Sequence, residues 1–248
     1  MFVIRRKLIA IRKEILDTLF PIHCISCKKY GDWVCRDCLE KIPVDIPQFC
    51  PICKRSVTPD GKTCFECRKK YIIDGVLVSS AYKSNGEKTL LAKIVHYYKY
   101  RFISELNIYL GEILKKSLLN SSLPLPDAIV PVPLHSRRLR WRGFNQSEML
   151  CYYLASRIAP GLEISVLKNA LIRKKYTIPQ MKIKNRRQRE RNLKGVFLME
   201  RKFISGIKGK NILLVDDIAT TGSTLFECAK VLKKKGAKKV YGIVLARE

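Results

Sequence analysis

Negative charge is in short supply in this sequence: 21 Asp and Glu stand against 49 Lys and Arg over 248 residues, a formal net charge of +28. The deficit is uneven, since residues 1–78 hold 15 basic against 9 acidic residues and residues 79–248 hold 34 against 12. A surface this cationic suits anionic partners, with phosphate ligands and nucleic acid the classes to weigh. Long apolar runs are missing too, and none reaches the roughly 20 residues of a membrane-spanning helix. The first 20 residues carry charges throughout, including Glu14 and Asp17, and no small-residue cleavage site follows an apolar stretch, so the expected location is the cytoplasm. No helix-turn-helix or finger helix is apparent, which puts single strands ahead of duplex among nucleic acids. No residue marks a nucleobase-specific pocket.

What is present suffices for one full α/β domain and a smaller module, with 47% hydrophobic residues to fill a core. Phe2, Ile4, Leu8, Ile11, Ile15, Leu16 and Leu19 fall near helical spacing between basic residues, so a basic amphipathic helix is expected at the start, packed against its own domain. Eight of the ten cysteines then form four CxxC pairs: Cys24/Cys27, Cys35/Cys38, Cys50/Cys53 and Cys64/Cys67. Two such turns close a four-thiolate structural zinc site, and a closed site has no catalytic position. The spacing predicts one or two Zn²⁺ and leaves open whether the pairs join consecutively or interleave. Disulfides are the alternative, disfavoured in a reducing compartment. The texture changes after residue 72, giving an expected division into a helix and double zinc ribbon, 1–72, and an α/β domain, 73–248.

Within that second domain, GVLVSSAY reads as a strand, Glu87 to Tyr100 and Leu106 to Leu119 as helices, and DAIVPVP as a strand stopped by Pro131 and Pro133. A basic loop, Arg137 to Arg142, and a Gly143 turn follow, with a helix from near Asn145. Later, NILLVDDIATTGST carries the densest signal. Asn211 to Val215 is a short apolar run suited to a buried parallel strand; Asp216 and Asp217 follow it; a Thr/Gly/Ser stretch leads to a helical pattern from Leu225 to Leu232. A loop feeding a helix N-terminus collects N–H donors for an anionic phosphate. The adjacent acids suit neutral hydroxyls on the same ligand, to which ionised Asp only accepts hydrogen bonds.

The stretch resembles the PRPP-binding motif of type I phosphoribosyltransferases. That resemblance implies Asp216 and Asp217 on the ribose hydroxyls and Ala219, Thr220, Thr221, Gly222, Ser223 and Thr224 around the 5-phosphate. It implies a parallel sheet with helices on both faces. The order of a cysteine-rich N-terminal module, PVPLH…RGFNQ, Gln180 before a basic stretch ending in Arg189-x-x-Asn192, and VDDIATTGST is similar to the ComF family of competence-associated proteins. By that likeness Pro133, Leu134, His135, Arg142 and Gly143 form a pyrophosphate loop. Gln180, Arg189 and Asn192 belong to a mobile flap over residues 174–192. The cofactor implied is Mg²⁺ with PRPP, and the partners are PRPP, single-stranded DNA and other proteins of the competence machinery. The Gln180 to Asn192 interval is about one residue longer than the family pattern.

Residues 173–194 hold ten cations and one acid, and cations interleaved with aromatics track and stack a single strand. The candidate nucleic-acid contacts are Arg186, Arg187, Arg189, Arg191 and Tyr176. A surface that is merely Lys-rich, or that serves PRPP alone, is the competing reading. Two functions follow: a PRPP-binding protein handling single-stranded DNA in transformation, or a Mg-dependent phosphoribosyltransferase with an unidentified acceptor, in which Asp216, Asp217 and Arg142 are catalytic.

Overall fold

The computed structural model describes residues 21–175, 193 and 195–248. The amphipathic segment before Pro21 and the expected flap and nucleic-acid residues (Tyr176, Gln180, Arg186, Arg187, Arg189, Arg191 and Asn192) lie outside them. Two compact units are present, 1–42 and 43–248, so the second cysteine segment joins the larger unit instead of dividing from it at residue 72. In the smaller unit, α1 (Arg36–Glu40) starts directly after Cys35. In the larger unit, α2 (Phe65–Arg68) starts directly after Cys64.

The α/β layers follow in chain order. β1 (Gly75–Ala81) leads to a hairpin of β2 (Lys83–Ser84) and β3 (Glu87–Lys88). α3 (Leu90–Tyr100) then begins at Thr89, whose Oγ1 accepts the Ala92 N–H at 3.3 Å. Glu87, expected inside that helix, is therefore in the hairpin, because the threonine cap fixes the helix start after it. Next come α4 (Asn107–Leu119), β4 (Ala128–Pro131), α5 (Ser136–Arg142), α6 (Gln146–Ala155) and β5 (Ser165–Val166). An antiparallel pair, β6 (Leu171–Arg173) and β7 (Phe197–Met199), precedes α7 (Ile204–Ile207). The chain ends in β8 (Asn211–Ala219), α8 (Ser223–Lys234) and β9 (Lys239–Arg247).

Five strands form one parallel sheet in the order β1-β9-β8-β4-β5. Helices α4 and α6 cover one face and α8 the other, which explains why β4 is apolar and buried throughout. Gly111 is needed where α4 meets α6, since a Cβ there would lie 2.4 Å from the Tyr153 ring. The chain leaves β4 toward β5 on one side and returns through β8 toward β9 on the other. The carboxyl ends of β4 and β8 thus flank a topological switch point, where open α/β sheets bind ligands.

Two local expectations are corrected. β8 does not stop at Val215 but runs through both acids, because β9 stays apolar alongside it and pairs Asp216 with Val244 and Ala219 with Arg247. The basic loop after Pro133 is a helix, α5: His135 Nδ1 accepts the Arg137 N–H at 3.2 Å at its start, and Gly143 at φ +78° closes it, donating to the Leu139 carbonyl at 2.8 Å. Gly143 ends the helix because it takes the left-handed conformation at little steric cost.

Candidate functional site

A cavity of about 560 Å³ opens at that switch point. β8 delivers Asp216 and Asp217 to it, the PVPL turn delivers Pro133 and Leu134, α5 delivers Arg142, and the turn into α8 delivers Thr220 and Thr224. Residues separated widely in sequence meet here because parallel strands end on the same side of the sheet.

The two acids are held differently. Asp217 is 7% exposed and forms an ion pair with Lys99, Nζ to Oδ1 2.8 Å, and the same oxygen accepts the Ile218 N–H at 2.6 Å. Asp216 Oδ1 accepts the Ser147 hydroxyl at 3.0 Å and the Asp217 N–H at 2.9 Å. Burial first, and then the adjacent Asp217 carboxylate, push the Asp216 carboxyl above its ordinary range, against the pull of Lys99 and those hydrogen bonds. Asp217 is thus paired with Lys99 while Asp216 resists ionisation, and a ligand bringing hydroxyl donors would favour ionised Asp216.

On the opposite wall, Arg142 donates from an Nη to Gln146 Oε1 at 3.0 Å, yet Arg142 Nε and Gln146 Nε2 are buried with no hydrogen-bond partner among the described residues. Gln146 is only 1% exposed. Buried donors are rarely left unmatched, so these two call for an acceptor-rich ligand in the space they border. His135 caps α5 and does not line the cavity; burial, and then Arg173 and its basic neighbours, lower its basicity.

The turn after β8 is tightly tied. Thr221 Oγ1 and Ser223 Oγ are 2.7 Å apart, Ser223 is 2% exposed, and Gly222 at φ +83° precedes α8. A side chain at 222 would be strained and would come within 2.7 Å of the Phe226 ring. Arg247, from the end of β9, donates to the Thr221 carbonyl at 3.3 Å and to the Pro51 carbonyl at 2.5 Å. Ala219, Thr221, Gly222 and Ser223 shape this turn without lining the cavity, and Gly143 does the same for α5.

The cysteines form two tetrads, Cys24/Cys27/Cys35/Cys38 and Cys50/Cys53/Cys64/Cys67, with the sulfur atoms of each within 4.8 Å of one another. Pairing is consecutive. Cys27 and Cys35 Sγ are 3.5 Å apart, and Cys53 and Cys64 Sγ are 3.9 Å apart. A tetrahedral ion with Zn–S bonds near 2.3 Å needs sulfurs about 3.8 Å apart, so the spacing fits zinc. Backbone N–H groups point at sulfur in both, Cys35 to Cys24 and Cys64 to Cys50, each at 3.4 Å. The N–H groups of Ser56 and then Arg55 pull the Cys53 thiol down to about 5, whereas burial and the Cys64 and Cys50 sulfurs push Cys67 up to about 12. Thiols this close cannot all ionise unaided, and a divalent cation relieves the conflict.

The phosphoribosyl transferase domain model matches residues 148–248. The DNA utilization protein YhgH of Escherichia coli K12 is 33% identical over 235 residues, covering 92% of this chain and 97% of that one. Competence protein F of Haemophilus influenzae is 28% identical over 246 residues (92% and 98%), and competence protein ComFC of Bacillus subtilis 26% over 217 residues (84% and 81%). The chain belongs to the ComF family.

For this ComF-family chain, several cavity residues escaped the sequence reading. Lys99 sits at the end of α3, Gln146 closes the RGFNQ motif without having been given a role, and Ser147 follows it; only the fold brings them to the acids. Arg247 carries no local signal at all, being one basic residue among many near the end of a strand. Among the described residues no helix is long and apolar enough to cross a membrane.

Proposed function

We propose that the protein binds PRPP with Mg²⁺ in the cavity, holds structural Zn²⁺ in both tetrads, and handles single-stranded DNA during DNA uptake in the cytoplasm. The observation that carries the PRPP reading is the pairing across one cavity of two adjacent acids with the buried unmatched donors Arg142 Nε and Gln146 Nε2. In this reading Asp216 and Asp217 accept from the ribose hydroxyls, Arg142 and Gln146 donate to pyrophosphate, and Thr220 and Thr224, on the cavity wall at either end of the turn that Ala219, Thr221, Gly222 and Ser223 shape, take the 5-phosphate. Carboxylates beside phosphate oxygens suit a hard, oxygen-seeking cation, and Mg²⁺ would supply charge neutralisation there. Titration calorimetry with PRPP and Mg²⁺ is the test: about one equivalent bound supports the reading, and no heat of binding sinks it.

The DNA reading is supported by the names of the relatives and by the excess of positive charge on residues 79–248. Binding through phosphates must weaken with salt, with a log–log slope near −0.7 for each phosphate neutralised on a single strand. Replacing Arg186, Arg187, Arg189 and Arg191 together is expected to flatten that slope by up to about four contacts. If PRPP alters DNA affinity, DNA must alter PRPP affinity by the same factor.

Phosphoribosyl transfer is the second reading, favoured by Arg142 and Lys99 flanking the acids, where a departing pyrophosphate would gain charge. An acceptor nitrogen would bond to C1 as the C1–O bond to pyrophosphate breaks, the electron pair leaving with the pyrophosphate. Pyrophosphate release from PRPP and Mg²⁺ with a panel of bases decides between binding and transfer.

A further inference from the structure

Three aromatic side chains gather at the cavity mouth from two separate segments: Tyr100 and Phe102 at the end of α3, and Trp141 on α5. The Phe102 and Trp141 ring centroids are 5.1 Å apart at 87°, and those of Tyr100 and Trp141 are 6.5 Å apart at 61°. All three remain open to solvent, Trp141 at 59%, Tyr100 at 40% and Phe102 at 39%. Phe102 also holds φ +57°, a backbone conformation unfavourable for a bulky side chain. That φ falls on the residue after the Arg101 cap of α3, where the left-handed conformation ends many helices; what packing leaves unexplained is the exposure of three clustered rings.

The surroundings identify the occupant. Arg142 lies 5.9 Å from both the Tyr100 and the Trp141 rings, so the aromatic cluster is continuous with the donor wall of the cavity. Arg137, Arg138 and Arg140 stand on the same helix, and Tyr100 and Trp141 themselves line the cavity with Lys99. The concentration of positive charge on this wall favours an anionic occupant over an apolar protein partner. A planar base joined to a phosphate matches both halves, because every base has a face to stack and the cations take the backbone.

We propose that Tyr100, Phe102 and Trp141 form a stacking platform for an unpaired base of a single strand, at the mouth of the cavity. This rests on the single-strand reading above and adds to it a base-binding position on described residues. The platform is indifferent to base identity, since nothing in it reads base edges.

The test uses the full chain, zinc-loaded, and two labelled strands of equal phosphate number, oligo-dT and a wholly abasic strand. Anisotropy is followed over a salt series for the parent, for Tyr100→Ala with Trp141→Ala, and for Trp141→Phe; circular dichroism checks that each is folded. The expected result is tighter binding of oligo-dT than of the abasic strand by roughly tenfold or more, as loss of base stacking implies. The double variant should lose that preference with its salt slope kept, and Trp141→Phe should retain most of it. Equal binding of both strands by the parent overturns the platform while leaving the single-strand reading intact. No binding of either strand overturns both. In a Trp33→Phe background Trp141 is the sole tryptophan, and quenching of its emission by free nucleosides in a protein that binds no strand would assign the platform to a free base instead.

Discussion

The two cysteine tetrads have the same ligands and nearly the same local geometry, but they are set in very different surroundings. Both have a lysine in left-handed conformation after the second cysteine, Lys28 at φ +66° and Lys54 at φ +60°, an N–H aimed at the first sulfur, and a short helix after the third cysteine. The first lies in the compact unit of residues 1–42. The second lies in the larger unit, where Cys50 and Ile52 share one buried cluster with Val130, Leu214 and Leu225. Gln48 continues the edge of β1, donating to the Val78 carbonyl at 2.9 Å and accepting the Val78 N–H at 3.1 Å. The comparison teaches that a metal motif's local form does not decide its role. Its side chains and carbonyls decide what its loss would disturb, and for the second tetrad Arg247 links the Pro51 carbonyl to the turn before α8.

The sharpest way to break this comparison is to disable each tetrad in turn. Cys50→Ser with Cys64→Ser is expected to cost about one zinc equivalent, to lower the melting temperature by about 10 °C or more, and to abolish PRPP binding, since a structural zinc contributes on the order of 10 kcal/mol to the fold that holds it. Cys24→Ser with Cys35→Ser should cost the same zinc and leave PRPP affinity within about twofold. Metal analysis, thermal melts and calorimetry on both pairs are the checks. Equal loss of PRPP affinity in the two pairs would remove the distinction.

A smaller effect is expected from Arg247→Ala. It leaves the Pro51 and Thr221 carbonyls without their shared donor, at a cost of about 1–3 kcal/mol, or roughly 3–10 °C in melting temperature. PRPP affinity should fall about tenfold with both zinc ions retained, because the arginine positions the turn and ligates no metal. Unchanged PRPP affinity would mean that the link is structural only.

The smallest effect is on pH dependence. Asp216 titrates higher in the folded protein than in the unfolded chain, so the folded state holds an extra proton over the window between the two values. Its contribution to stability is complete below the ordinary carboxylate range and is lost as pH rises through the raised value. PRPP affinity should move oppositely, rising with pH as Asp216 ionises and accepts. Asp216→Asn should flatten the fall in melting temperature between about pH 4 and about 7, and first-tetrad variants should not.

These contrasts also explain what was legible in the sequence. The tetrads, the acid pair and the turn before α8 are each contiguous, so spacing and residue type exposed them. The cavity's other wall is not contiguous: Lys99, Gln146 and Ser147 reach Asp216 and Asp217 only after α3, α6 and β8 converge. Asp216 and Asp217 hid the true end of β8, since acids oppose strand formation until a paired β9 overrides them. The coupling of the second tetrad to the turn before α8 depends on Arg247 and a proline carbonyl, and a carbonyl leaves no trace in residue type.

The central claim is that the acid pair at the end of β8 holds PRPP. It is tested most directly by titrating PRPP with Mg²⁺ into Asp216→Asn with Asp217→Asn, a change that removes acceptor charge with little change in volume. The account predicts a folded protein with both zinc ions and no measurable PRPP binding beside a parent that binds about one equivalent. A folded double variant with the parent's PRPP affinity would contradict it.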